Sequence, residues 1–378
     1  GKHYFGVYHN FNTMLTLQLR KFSDLYESYG LGAVKNLHLM LQLLLIGRTV
    51  NLWKLKDYIG MVLGNEQVQP DSHYRRLIRF FEEMSGNEAF VLDIQRRVLR
   101  VLCRLRFTHL LLDGTSWKRG GQKYHYMVLS VLAGGVAIPI YWKQLSKIGA
   151  SNQAERQELL KEALELFDLR GMTLLADREY IGQNWFNYLK SKGINFVIRL
   201  RFSDYYQAVD AAPGKTYQQM YDKCMAQGKF VRKHFRLAGQ SYFISMRPNP
   251  KATPGDEVLI FLTQIRPLGK TIDQYVKRWR IECLFRHLKT NGFHLEDLNL
   301  KPPSKSNLMM ALLCLAYALS IRVAWNKQLS IRRIEYPNQT VFPAQSIFRC
   351  GLAILTAKCS SLLRFVDFLI SLAIPQNH

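Results

Sequence analysis

The sequence predicts an α/β fold with a sheet-forming middle flanked by helices, and three observations carry the prediction. Three apolar, strand-like runs separated by Gly-containing turns fall between residues 107 and 145. Two more such runs alternate with helical segments up to residue 201. The stretches on either side are long and apolar without the alternation of a strand.

Taken in order, residues 1–105 read as helices. Leu37 to Ile46 is densely apolar, and Pro70, Asp71 and Ser72 punctuate the chain before HYRRLIRFFEEM. Arg75, Arg76 and Arg79 give that helix a basic face opposite Leu77, Ile78 and Phe81, suited to lying along nucleic acid in a helix-turn-helix-like unit or simply to meeting water. FTHLLLD, KYHYMVLSVL and GVAIPIYWKQL then predict an antiparallel meander. A helix over SNQAERQELLKEALELF, capped by Ser151 or Asn152, leads to the strand MTLLAD, a helix through NWFNYLKSKG and the strand NFVIRLR. Three strands, helix, strand, helix, strand over 106–201 is the order of an RNase H-like core.

Residues 202–257 are basic and aromatic, with a hairpin predicted around Ala238, Gly239 and Gln240, and read as a strand-rich insertion that splits the core. The core resumes over 258–333 with EVLIFLTQI and a polar-striped helix. Residues 334–378 carry Pro337, Pro343 and the apolar segments SIFRCGLAILT and SLLRFVDFLISLAI, expected as C-terminal helices for packing or self-association.

The charge narrows the partners. Fifty-two Lys and Arg against 28 Asp and Glu give +24 over 378 residues, and a polyanion is the expected partner. The cations are dispersed among aromatics along the whole chain, which favours an extended nucleic-acid footprint over a membrane-surface cluster. The longest apolar run, Leu308 to Ile321, is shorter than the roughly 18 to 20 residues that span a bilayer and is expected as a buried core helix, with no membrane partner. GKHYFGVYHN lacks the apolar region and cleavage site of a secretory signal. The six cysteines are scattered without a C-x-x-C pair, which points to a reducing, cytoplasmic compartment and away from a zinc module.

The chemistry concentrates in DQYVKRWRIECLFRHLKTNGF. On a helix at about 100° per residue, Tyr275, Arg278, Glu282 and Lys289 fall within roughly 60° of one another, with Arg286 on the same stripe. The other azimuths carry Val276, Trp279, Ile281, Cys283, Leu284, Phe285 and Leu288, so the polar stripe is a minority face that suits a cleft. Thr271 and Gln274 make a capping box for its start. One acid among cations and a phenol suits a phosphodiester, the acid for a metal ion and the rest for phosphate oxygens. Asp113 and Asp177 each end an apolar strand-like run, where two strands can aim two carboxylates at one point, although Asp113-Gly114 is also a common turn dipeptide. With Glu282 they form an oxygen-only set for two divalent ions. Glu179, Glu296 and Asp297 could each stand as the third acid instead; Glu282 is preferred as the one on the stripe. No Gly-rich phosphate loop, H-E-x-x-H or G-x-S-x-G competes.

These residues resemble the IS-four family of bacterial insertion-sequence transposases, which carry a DDE triad and the signature Tyr-x2-Arg-x3-Glu-x6-Lys. Here the signature is Tyr275, Arg278, Glu282 and Lys289, with Asp177-Arg178-Glu179-Tyr180 at the second acid. The resemblance implies an RNase H-like core, two magnesium or manganese ions, and cut-and-paste transposition by nicking, hairpin formation and strand transfer. It implies double-stranded DNA at terminal inverted repeats and at the target as partner, and a homodimer on DNA in a bacterial cytoplasm. By position, Tyr275, Arg278 and Lys289 would bind phosphates, Arg178 and Tyr180 would support the terminal nucleotides, and Trp279 would contact a terminal base. Hairpin-forming relatives hold a flipped base on an aromatic, typically a Trp, near the strand that here reads EVLIFLT. That neighbourhood has no Trp, which leaves Phe261, Tyr242 or Phe243. A regulator that binds DNA without cutting and a structure-selective nuclease on the same core are the competing readings.

Overall fold

The computed structural model describes residues 12–102, 105–147, 149–203, 214–237, 239–267, 269 and 273–373. The chain begins with helices α1 (12–19), α2 (Ser23–Gly47), α3 (Leu52–Leu55), α4 (Ile59–Leu63), α5 (Pro70–Met84) and α6 (Glu88–Arg100). Strands β1 (His109–Arg119), β2 (Gln122–Ala133) and β3 (Val136–Gln144) lead to α7 (Gln153–Leu166), β4 (Thr173–Ala176), α8 (Gln183–Ser191) and β5 (Asn195–Leu200). Next come α9 (Gly214–Gln227), β6 (Val231–Leu237), β7 (Gln240–Pro248) and β8 (Val258–Thr263). A 3-10 turn (Gln274–Arg278) precedes α10 (Trp279–Leu288) and α11 (Pro303–Ala324). The small pair β9 (Arg333–Glu335) and β10 (Val341–Pro343), then α12 (Ile347–Lys358) and α13 (Leu362–Ala373), complete the order.

The local starts follow ordinary end chemistry. α5 opens with Pro70 in its first turn and Asp71 beside it, where a missing N–H costs nothing and an acid meets the helix dipole. The Asn87 side chain accepts from the Phe90 N–H at the head of α6. Of the two caps considered for α7, Asn152 is the one used, in a reciprocal capping box with Glu155.

Two compact units result. One gathers the described residues of 1–104, 117–122 and 285–378 and is helical. Its centre is α11, on which every residue from Leu308 to Ile321 is buried. The 22-residue α11 is longer than the 14-residue apolar run foresaw, because PSKSN and RVA extend it at both ends. By length and composition this helix and α2 could cross a membrane. α11 is instead packed against α6, α2 and α12, in keeping with a core helix. Gly351 marks the tightest of these contacts: a Cβ there would lie 1.7 Å from the Ser320 carbonyl oxygen, so only glycine lets α12 approach α11.

The other unit, residues 105–116 and 123–284, is built on one eight-stranded sheet in the order β3-β2-β1-β4-β5-β8-β7-β6. β1, β4 and β5 are parallel, linked by α7 and α8, while β2 and β3 form the antiparallel flank. This is the RNase H-like order that the sequence predicts. The hairpin of β6 and β7 is present, with Ala238 outside the described residues. It joins the central sheet through β8, which pairs with both β7 and β5. The strands within 202–257 therefore extend the core sheet.

Candidate active site

β1 and β4 are parallel neighbours with Leu110 opposite Leu174 and Leu111 opposite Leu175. The recorded pairing ends there; Asp113 and Asp177 each lie two positions beyond it, and they are near enough for the charge of Asp177 to act on Asp113. Leu110, Leu111, Leu112, Leu174, Leu175 and Ala176 are buried, so apolar burial anchors both strands up to the two acids. Asp177 follows the last residue of β4, as expected. Asp113 does not end its strand: β1 continues to Arg119, and Asp113-Gly114 is extended rather than a turn. Gly114 has its own reason, since a Cβ there would come within 3.1 Å of His125 Nε2.

Asp113 accepts from the Gly114 N–H through Oδ1 at 2.8 Å and from Arg278 through Oδ2 at 3.3 Å. The same guanidinium donates to Glu282 Oε1 at 2.6 Å, so Arg278 bridges the first and third acids. It also hydrogen-bonds Tyr275, whose ring meets Phe261 edge-on at 4.8 Å. Tyr275 and Arg278 lie on the 3-10 turn, and the α-helix starts only at Trp279. The single helical stripe is thus corrected to two pieces; in a 3-10 turn residues three apart eclipse, which brings Tyr275 and Arg278 together. Thr271, the proposed cap, lies outside the described residues. Gln274 instead bonds His109 Nε2 at 2.8 Å, tying the turn to the start of β1.

The electrostatics record the convergence. Burial pushes the Asp113 carboxyl up to about 7, Arg278 opposes the rise, and the charges of Asp177 and Glu282 add to it. Burial also raises the Tyr275 hydroxyl, with Arg278 opposing. Tyr180, expected to support terminal nucleotides, is only 1% exposed. Its pKa is raised by burial and then by Asp113, Glu179 and Asp177. Beneath it, the buried Arg156 stacks on the ring at 5.0 Å and donates to Ser151 Oγ at 2.9 Å. Glu179, considered as a third acid, accepts from the Ser151 N–H and hydroxyl and is thereby committed to the loop before α7.

Glu296 and Asp297 belong to the helical unit, where Glu296 pairs with Lys289 at 3.2 Å and Asp297 with Lys54 and Arg119. There Lys289 also lies over the Trp117 ring at 5.5 Å. Arg178, Trp279 and Arg286 are exposed, as are Arg75 and Arg79, while Arg76 is half-buried with its Nε on Asn36. Of the aromatics considered for a flipped base, Phe261 and Tyr242 are core residues, and Phe243 keeps part of its ring exposed beside His234.

Asp113, Asp177 and Glu282 offer only oxygen, the chemistry hard divalent cations take. Among the described residues no three Asp, Glu, His or Cys side chains stand close enough to hold one ion, and the Arg278 guanidinium supplies the positive charge between Asp113 and Glu282. Sequence reasoning missed Arg156 and the His109–Gln274 bond. Arg156 left a signal, since it falls three, four and seven positions before Leu159, Leu160 and Ala163 on the buried face of α7. A cation on an apolar face needs a buried partner. His109 left none, because its partner is 165 residues away.

A solved piggyBac transposase, in a synaptic complex with hairpin DNA, aligns with 92% of this chain and 77% of its own, at 11% identity and a TM-score of 0.48. No curated protein matches the chain. The model of the transposase DDE domain matches residues 105–319, which takes in all eight strands of the large sheet, Asp113, Asp177 and Glu282. The chain belongs to the transposase DDE domain family.

Proposed function

We propose that this protein is an insertion-sequence transposase of the IS-four kind, cutting and joining DNA at Asp113, Asp177 and Glu282. The observation that supports the reading is that the parallel strands β1 and β4 run side by side toward Asp113 and Asp177, with Glu282 joined to Asp113 through Arg278. These three would hold two divalent ions, magnesium or manganese, which when bound activate the attacking oxygen and offset charge on the leaving one. Arg278 exchanges its carboxylates for a phosphate oxygen as DNA arrives, and Tyr275 steadies it. Arg178 and Trp279 bind DNA on the sheet unit, and Arg286 and Lys289 on the helical unit. Arg75, Arg76 and Arg79 serve nucleic acid on the helical unit.

The DNA is double-stranded, at terminal inverted repeats and then at the target, and is held by a homodimer in a bacterial cytoplasm. The reaction runs through end nicking, a hairpin with its flipped base on Phe243, and strand transfer. A sequencing gel on end DNA tests the reading, since nick, hairpin and joined product separate in one lane. Asp113→Ala and Glu282→Gln should each abolish nicking. Undiminished nicking sinks the triad; binding without cleavage at any metal concentration favours a regulator, and cutting of branched DNA irrespective of end sequence favours a nuclease.

A further inference from the structure

Within the helical unit a cavity of about 530 Å³ opens among α2, the α4–α5 loop and α5. Lys35, Arg76 and Arg79 line it, with Glu83 as the acid among its described lining residues. Lys35 is half-buried and touches Asn12 Oδ1 at 3.4 Å. Burial, then the like charge of Arg76, lowers its pKa, so the fold holds cations together at a cost that an entering anion would relieve. His73 lines the same cavity at 7% exposure, and its Nε2 has no hydrogen-bond partner among the described residues. A buried polar nitrogen left unpartnered is costly, and a water or a ligand atom reaching it would relieve that cost. Asn36 gives its amide oxygen to Arg76 at 2.9 Å, which leaves its N–H groups to donate. Leu63, Val68 and Phe80 supply apolar wall.

We infer that this cavity binds a single nucleotide, its phosphate between Lys35, Arg76 and Arg79 and its base against the apolar wall with His73 and Asn36 at its edge. The volume falls within the roughly 300–1,000 Å³ of small-ligand sites, and a bare phosphate would leave most of it unfilled. The inference shares the nucleic-acid partner with the transposase reading but not its active site. The nucleotide is either part of a DNA strand or free, and the two are separable.

The full chain is bound to a fluorescein-labelled single-stranded tetranucleotide and challenged with dAMP, deoxyadenosine or orthophosphate. dAMP should bind best of the three. Lys35→Gln and Arg79→Gln should each weaken dAMP about tenfold, the scale of one charge-assisted contact. Lys161→Gln, which removes an exposed cation of the other unit, should leave it unchanged. Lys35→Arg should retain binding, which separates lost charge from lost fold. Displacement of the tetranucleotide by dAMP assigns the cavity to a strand nucleotide. Lys35-dependent dAMP binding that leaves the strand in place assigns it to a free one. Orthophosphate matching dAMP, or dAMP affinity indifferent to Lys35 and Arg79, overturns the inference. Intact dAMP binding in a chain that never cleaves end DNA would sink the active-site reading alone.

Discussion

Asp113 and Arg278 carry the most testable chemistry at the scale of single residues. The Asp113 carboxyl is raised from 3.8 to about 7, so the folded state binds a proton that the unfolded chain has released. Its stabilising contribution is full below pH 3.8 and is lost as pH rises through about 7. In chelator, Asp113→Asn should therefore melt above the parent at pH 8, and the gap should close near pH 4. A gap that widens in acid would refute the buried carboxyl. Arg278 is the cation that now joins two of the three acids. Arg278→Gln should tighten Mn2+ binding without DNA about tenfold, a change of roughly 1.4 kcal/mol, while lowering cleavage. Paramagnetic resonance reads the ion directly, and weaker Mn2+ binding would show that Arg278 does not compete for the carboxylates. Of these residues the two aspartates and Glu282 stood out in the sequence as candidates, because acids at the end of apolar runs and inside a cationic stripe are locally conspicuous. Asp113's mid-strand position was hidden, since the residues after it, GTSWKR, look like a turn until β2 pairs with them.

Close approach governs packing at the scale of elements. α12 meets α11 where a side chain at Gly351 would collide with backbone, not with a flexible tip. Gly351→Ala should cost about 3 kcal/mol or more, because overpacked cores lose roughly 1–3 kcal/mol even when side chains can yield. Chemical denaturation of the helical unit measures it, and a loss below about 0.5 kcal/mol would mean the helices slide freely. Order and type of the sheet elements were readable because their apolar runs are short and sharply punctuated. The split of the expected helix into a 3-10 turn and α10 was not, for it depends on Gln274 reaching His109 across the fold. Likewise no local pattern told whether β6 and β7 form their own sheet or prolong the first. Edge pairing through β8 is a long-range choice.

For the whole molecule, net charge and two histidines, one buried and one half-buried, set the response to solvent. End-DNA affinity should fall steeply with salt, with a slope of about −0.9 for each phosphate neutralised. Neutralising Arg75 and Arg79 together should flatten the log–log slope by up to about 2, and an unchanged slope would remove α5 from the interface. His38 and His287, both in the helical unit, are lowered from 6.5 to about 4, chiefly by burial. Their contribution is present above pH 6.5 and is lost as pH falls toward 4, the reverse of Asp113. The helical unit should consequently lose stability over that window, as followed by circular dichroism, and His287→Phe, set among Tyr317 and Phe348, should blunt the loss. Invariant melting between pH 7 and 4 would argue that both imidazoles stay accessible. The strong positive charge was evident from composition alone, whereas the cavity on the helical unit was not, because Lys35 lies far from Arg76 in sequence.

The pairing of β1 with β4 gives this protein a built-in proof of assembly. Side chains alternate along a strand, so a slip of one residue would turn one aspartate away from the other along with every apolar neighbour on its strand. A misregistered chain would look folded by helix content and size and still have no site. On the proposed triad, turnover per molecule would thus count correctly zipped sheets.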